Sequence, residues 1–140
     1  MSQTIHFTIP GVPVAKGRPR FGQGRVWTPE KTVDFEQRVR VSFLRGFADL
    51  VRRCHNITCP ISVSIKAIFP FTKAHNKIDR LCENPKTTKP DCDNLIKSCL
   101  DSLNGYAWRD DNLVYKCDFI KVYGEVPRTE ISITYEDNSL

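Results

Sequence analysis

The stretch KPDCDNLIKSCLDSLNGYAWRDDNLV, residues 89–114, decides how this chain is read. Leu95, Ile96, Cys99, Leu100 and Leu103 recur at helical spacing, which predicts a helix over 92–103 with one apolar stripe. Pro90 disfavours a helical residue before it, so the helix starts near Asp91 or Asp93. Asn104-Gly105 supplies the stop. The residues after the stop, from about 112 to 123, read as a strand. The stretch is therefore a helix feeding a strand, with an acidic segment at each end.

Outward from it, residues 61–69 (ISVSIKAIF) alternate cleanly as a strand, and residues 129–135 place Ile131, Ile133 and Tyr135 on one face of another. Ile5, Phe7 and Ile9 mark a half-buried strand over 3–9, stopped by Pro10. Thr28-Pro29 looks like an N-cap followed by a first helical proline. It opens a long helix over 29–52 whose stripe is Val33, Val39, Phe43, Leu44, Phe47, Leu50 and Val51. Phe35 and Val41 fall outside that stripe, either for contact with a second copy or for packing inside the monomer. Residues 10–25 are rich in Pro and Gly among basic residues and read as a positively charged loop. Residues 70–90 form a long polar connection, the kind that is functional or mobile in a compact domain. The tail EDNSL, from Glu136, is expected to fray. The order β-α-β-α-β-β implies a single α+β domain over 1–140, a small mixed sheet of about four strands with two helices on one face.

Composition narrows the class. The chain has 140 residues, 40% hydrophobic and 26% charged, as for an ordinary globular domain. No apolar run is long enough to span a membrane, and the first ten residues lack the pattern of a secretory leader, so a cytoplasmic protein is expected. The six cysteines show no CxxC pair and no compact framework, which favours reduced thiols; Cys99 lies on the apolar stripe as a small buried hydrophobe. Cys54, His55 and Cys59 lack the second half of a zinc site. Net charge is +5, yet Asp91, Asp93, Asp110 and Asp111 concentrate in two short motifs. A locally acidic site within a basic surface suits a polyanion held through metal ions.

The two acidic motifs carry the chemistry. Asp93, Lys97 and Asp101 are spaced by four and share one helical face beside the buried stripe. Asp110 and Asp111 follow the helix stop and lead into the strand that packs on that helix, so the two segments can converge. Carboxylate oxygens gathered at one point suit a hard cation such as Mg²⁺, with Mn²⁺ as a substitute. Taken one at a time, the same residues also read as a helix-start aspartate, a turn, and an i,i+4 ion pair worth a few tenths of a kcal/mol. Lys16, Arg18 and Arg20 in the first loop, and Lys73, Lys77, Lys86 and Lys89 in the second, are candidate phosphate contacts.

The run DCDNLIKSCLDSLNGYAWRDDNLV resembles the signature of the RusA family of Holliday-junction resolvases: Asp-x-Asp-Asn, a lysine four after the second aspartate, then Trp-x-Asp-Asp a short helix later. GVPVAKGRPRF is similar to the amino-terminal loop of many members. The resemblance implies that Asp91, Asp93 and Asp111 are metal-binding catalytic carboxylates, Lys97 the catalytic lysine, and Asp110 an accessory metal ligand. Asp101 matches an acidic position of the pattern. The resemblance further implies a homodimer that cuts branched, four-way DNA with a divalent metal in recombination and repair. The connection before Asp91 departs from the pattern by lacking the dense arginine run of some members. Two other readings compete with a nuclease: a non-catalytic DNA-binding or interaction module with a degenerate metal site, and a metal-dependent hydrolase of small nucleotides.

Overall fold

A computed structural model describes residues 2–136. Strand β1 (Gln3–Pro10) is followed by a small hairpin, β2 (Arg20–Gly22) and β3 (Arg25–Trp27), and the long helix α1 (Glu30–Arg53). Strand β4 (Ile61–Pro70), the two-residue β5 (Asn84–Pro85), helix α2 (Cys92–Leu103), β6 (Val114–Gly124) and β7 (Arg128–Tyr135) complete the chain. The expected tail lies outside the described residues beyond Glu136.

The main sheet has five strands in the order β1-β7-β4-β6-β5. β4 and β6 run parallel, joined through α2; the other neighbours are antiparallel. The strand count exceeds the expected four because β5, two residues long, pairs with the end of β6 without any apolar alternation. The β2–β3 hairpin forms a separate sheet within what reads as loop. Gln23 and Gly24 both have positive φ, +49° and +77°, which gives the two-residue turn whose twist matches its strands.

One sheet face is apolar. Ile61, Val63, Ile65, Ile131, Ile133 and Tyr135 are buried there, while Ser64, Lys66, Glu130 and Ser132 look away toward solvent. Both helices cover the apolar face. From α1 come Phe35, Val39, Phe43 and Leu50, and from α2 Leu95, Cys99 and Leu103. At ~25 cal/mol per Å², burial of each such side chain stabilises by about 1.5–3 kcal/mol. Two stripe positions read from sequence, Val33 and Leu44, are instead exposed, whereas Phe35 is wholly buried and Val41 half exposed. The buried arc of α1 is rotated toward Thr32, Phe35 and Glu36 because the amino-terminal loop and α2 pack there. α1 also begins one residue late, with Pro29 rather than Thr28 in the capping position, and bends at Phe47 (φ −136°, ψ 32°). All six cysteines are unpaired, with Cys82 and Cys92 exposed. No described helix is long and apolar enough to cross a membrane.

Candidate active site

α2 organises the site. Its buried stripe orients Asp93, Lys97 and Asp101 along the adjoining face, and the Lys97 ammonium stands 3.8 Å from Asp101. The segment after α2 returns alongside. Leu103 carbonyl accepts from the amides of Tyr106 and Ala107, Gly105 N–H donates to the Trp108 carbonyl (2.7 Å), and Tyr135 hydroxyl donates to the Ala107 carbonyl (2.8 Å). These bonds bury the Trp108 ring completely and aim its indole N–H at Asp111, which accepts at 2.6 Å.

Asp111 is half-buried, and burial pushes its carboxyl above the usual carboxylate range. The Trp108 bond opposes that rise, the charges of Asp101 and Asp110 add to it, and Lys97 opposes it. The structure therefore brings Asp111, Asp101, Asp110 and Lys97 into one electrostatic neighbourhood. Asp110 is exposed and accepts from the Asn112 amide (3.0 Å) at the start of a one-turn 3₁₀ helix.

Asp91 and Asp93 are exposed at the start of α2. Asp91 precedes the helix with extended backbone and lines an open cleft of about 600 Å³ together with Arg18, Lys89, Pro90 and Asn94. Lys121 fixes the approach to it, donating to the carbonyls of Thr88 (2.6 Å) and Pro90 (2.7 Å). Asp93 and Asp101 lie eight residues apart on one helix, about 12 Å along its axis, with Lys97 midway. Among the described residues no three Asp, Glu, His or Cys side chains are close enough to enclose an ion. The donor chemistry nevertheless fits a hard divalent cation: every candidate is a carboxylate, and the mutual repulsion at Asp111 is of the kind such a cation relieves.

The expected phosphate contacts divide. Arg18, Arg20, Lys73, Lys77 and Lys89 are exposed. Lys16 is turned inward instead, only 20% exposed, and bridges Glu36 (3.2 Å) and Asp101 (3.4 Å). The loop carrying it is pinned between the helices: Lys16 N–H donates to the Asn94 carbonyl, Ser98 hydroxyl to the Val14 carbonyl, and Gly17 N–H to Thr32. Lys86 is likewise engaged, bonding Thr88 and Tyr123 and lying over the rings of Phe69 and Tyr123. The long connection is folded rather than open, with the His75 ring packed edge-on against Phe71 and tilted against Tyr123. Sequence reasoning missed Trp108 as a donor, although its place three residues before Asp111 is the available signal. It also missed Lys121, which no local pattern marks.

A small α+β domain with carboxylates along one helix and cations on the flanking loops has what a nuclease domain needs: donors for a cation and grips for a phosphate backbone. The chain belongs to the endodeoxyribonuclease RusA family, which matches residues 10–134. It is also 33% identical over 139 residues, covering 92% of this chain and 94% of the relative, to the "Uncharacterized protein YqaN" of Bacillus subtilis (strain 168).

Proposed function

We propose that this chain is a divalent-metal-dependent endodeoxyribonuclease that cuts phosphodiester bonds in branched DNA, four-way junctions above all, in recombination and repair. The single observation that carries the reading is the row Asp93, Lys97, Asp101 with Asp111 beside it, in a chain of an endodeoxyribonuclease family. Asp91, Asp93 and Asp111, with Asp110 alongside, would hold Mg²⁺ or Mn²⁺. A divalent cation held there would supply Lewis-acid chemistry toward the scissile phosphate and the attacking water. Lys97 supplies a positive charge where negative charge builds on the phosphate oxygens. Trp108 orients Asp111, and Lys16 orients Asp101 from inside. Arg18 and Lys89, beside Asp91, and the exposed Arg20, Lys73 and Lys77 take neighbouring phosphates, which positions the DNA without reading its sequence.

A four-way junction presents two equivalent strands related by a two-fold axis, so paired cuts need two sites facing related phosphates. A symmetric homodimer supplies them. With Phe35 buried, the exposed large apolar side chains of α1 that such a contact could use are Val33, Val41 and Leu44.

The test is direct. The purified chain is incubated with junction, duplex, single-stranded and nucleotide substrates, with Mg²⁺ and with a chelator. Junction cleavage that the chelator abolishes is the expected result. Binding without cutting in Mg²⁺ would leave a non-catalytic DNA module, and hydrolysis of nucleotides alone a small-molecule hydrolase.

A further inference from the structure

The β2–β3 hairpin stands apart from the main sheet and exposes what an isolated hairpin rarely can. The register pairs Arg20 with Trp27, Phe21 with Val26 and Gly22 with Arg25. Directly paired side chains share a face. One face therefore carries Phe21 and Val26, which are 77% and 58% exposed. The other carries Trp27, 44% exposed, between Arg20 and Arg25. The indole reaches over Gly22, where an added Cβ would stand 3.1 Å from its Cη2. Two-stranded hairpins are marginal alone in water, so three exposed apolar side chains here lack a folding reason.

Charge identifies the occupant. No carboxylate precedes Glu30 in the sequence, and Arg18, Arg20 and Arg25 form no ion pair among the described residues. A second copy of the chain would bring the same cations to the contact. A polyanion with flat apolar surfaces meets both demands, and that is a nucleic acid strand whose bases are unpaired. The hairpin is also joined to the candidate site, because Arg18, two residues before β2, lines the cleft that holds Asp91.

We propose that the Arg20–Trp27 hairpin is a stacking platform for unpaired DNA bases. Phe21 and Trp27 take bases on opposite faces, and Arg18, Arg20 and Arg25 take the adjoining phosphates. The inference rests on the reading of this chain as a DNA-handling protein and adds to it a part that holds bases once they are unpaired. Gly22 suits it, since a side chain there would press on the indole and shift it by a few tenths of an ångström.

The two tryptophans make the test readable, because Trp108 is buried and Trp27 is exposed. Tryptophan emission is followed, with a chelator present, as the full chain is titrated with oligo(dT) or with a blunt duplex. Emission is expected to fall with oligo(dT) far more than with duplex. Trp27→Phe should remove the signal, which assigns it to the hairpin and not to Trp108. Phe21→Ala with Trp27→Ala should weaken oligo(dT) binding at least about ten-fold and change duplex binding less than about two-fold. Equal losses on both DNAs, with an unchanged melting curve, would overturn the platform. So would a Trp27 emission that shifts with protein concentration in the absence of DNA, which would mark a contact between copies. Failure of the nuclease reading is separate: a parent chain that is quenched by oligo(dT) but cuts nothing in Mg²⁺ keeps the platform and loses the catalysis.

Discussion

The two acidic segments that flank α2 are built in opposite ways. Asp110 and Asp111 are fastened from behind by the core: a wholly buried Trp108 donates to Asp111, and the turn that carries Trp108 is bonded to Leu103 and Tyr135. Asp91 and Asp93 are exposed on the helix start, and the carbonyls just before them are held by one side chain from the sheet, Lys121. A site made this way has one half backed by a buried indole and one half exposed on a helix start, entered through carbonyls that the Lys121 ammonium holds. Damage to packing should therefore reach Asp111, and damage to charge should reach Asp91.

The largest effect belongs to the carboxylates themselves. Asp111→Asn keeps an acceptor for Trp108 and removes the charge that burial, Asp101 and Asp110 all penalise. Cleavage should fall by about a hundred-fold or more, as for loss of about 3 kcal/mol of transition-state stabilisation, while the metal-free chain melts no lower than the parent at neutral pH. A parent-like rate would remove Asp111 from the chemistry. Trp108→Phe probes the fastening instead. Losing the N–H and part of the ring should cost about 2–4 kcal/mol in a denaturant melt, and cleavage should drop about ten-fold as Asp111 loses its orientation. If only stability changed, Asp111 would not depend on the core for its aim.

Lys121→Met tests the other half. It frees the Thr88 and Pro90 carbonyls while keeping most of the aliphatic stem, so it should cost under about 1.5 kcal/mol of stability. Cleavage should fall several-fold and need more Mg²⁺, with the Mg²⁺ titration as the readout that a purely structural role leaves unmoved. The smallest effect is expected at Tyr135→Phe, which removes one bond to the Ala107 carbonyl. A loss of about 1 kcal/mol in the melt with cleavage unchanged would show that the remaining bonds of the turn suffice. A matching loss of cleavage would mean that the Tyr135 bond alone sets the turn.

Strong local periodicity made most of this fold legible. Alternation marked β4 and β7, and helical spacing placed α2 at the boundaries observed. Three-residue strands carry too few side chains to alternate, so the β2–β3 hairpin read as loop despite its Gly-Gln-Gly turn. Phe35 and Val41 could not be told apart without knowing which neighbours flank α1. The row Asp93, Lys97, Asp101 was visible because helix geometry is local. The inward ion pairs of Lys16 were not visible because its partners, Glu36 and Asp101, lie on two different helices. The charges of Asp101 and Lys97 that act on Asp111 come from the helix face that spacing marked, whereas its bond to Trp108 depends on a turn that no spacing shows.

The sheet order has a consequence for how the molecule comes into being. β7, the strand formed last in the chain, lies second in the sheet, between β1 and β4, with Gln3 facing Tyr135 on one side and Ile61 facing Tyr135 on the other. Until residues 128–135 have been synthesised, β1 has no strand to pair with and β4 lacks its antiparallel neighbour. Ribosome-bound chains that stop short of β7 can pair β4 with β6 but cannot complete the apolar face that α1 covers. Folding must then wait for contacts between the two ends of the sequence, the slowest kind to form. A chain in translation therefore carries its acidic helix and basic loops well before it has the scaffold that aligns them.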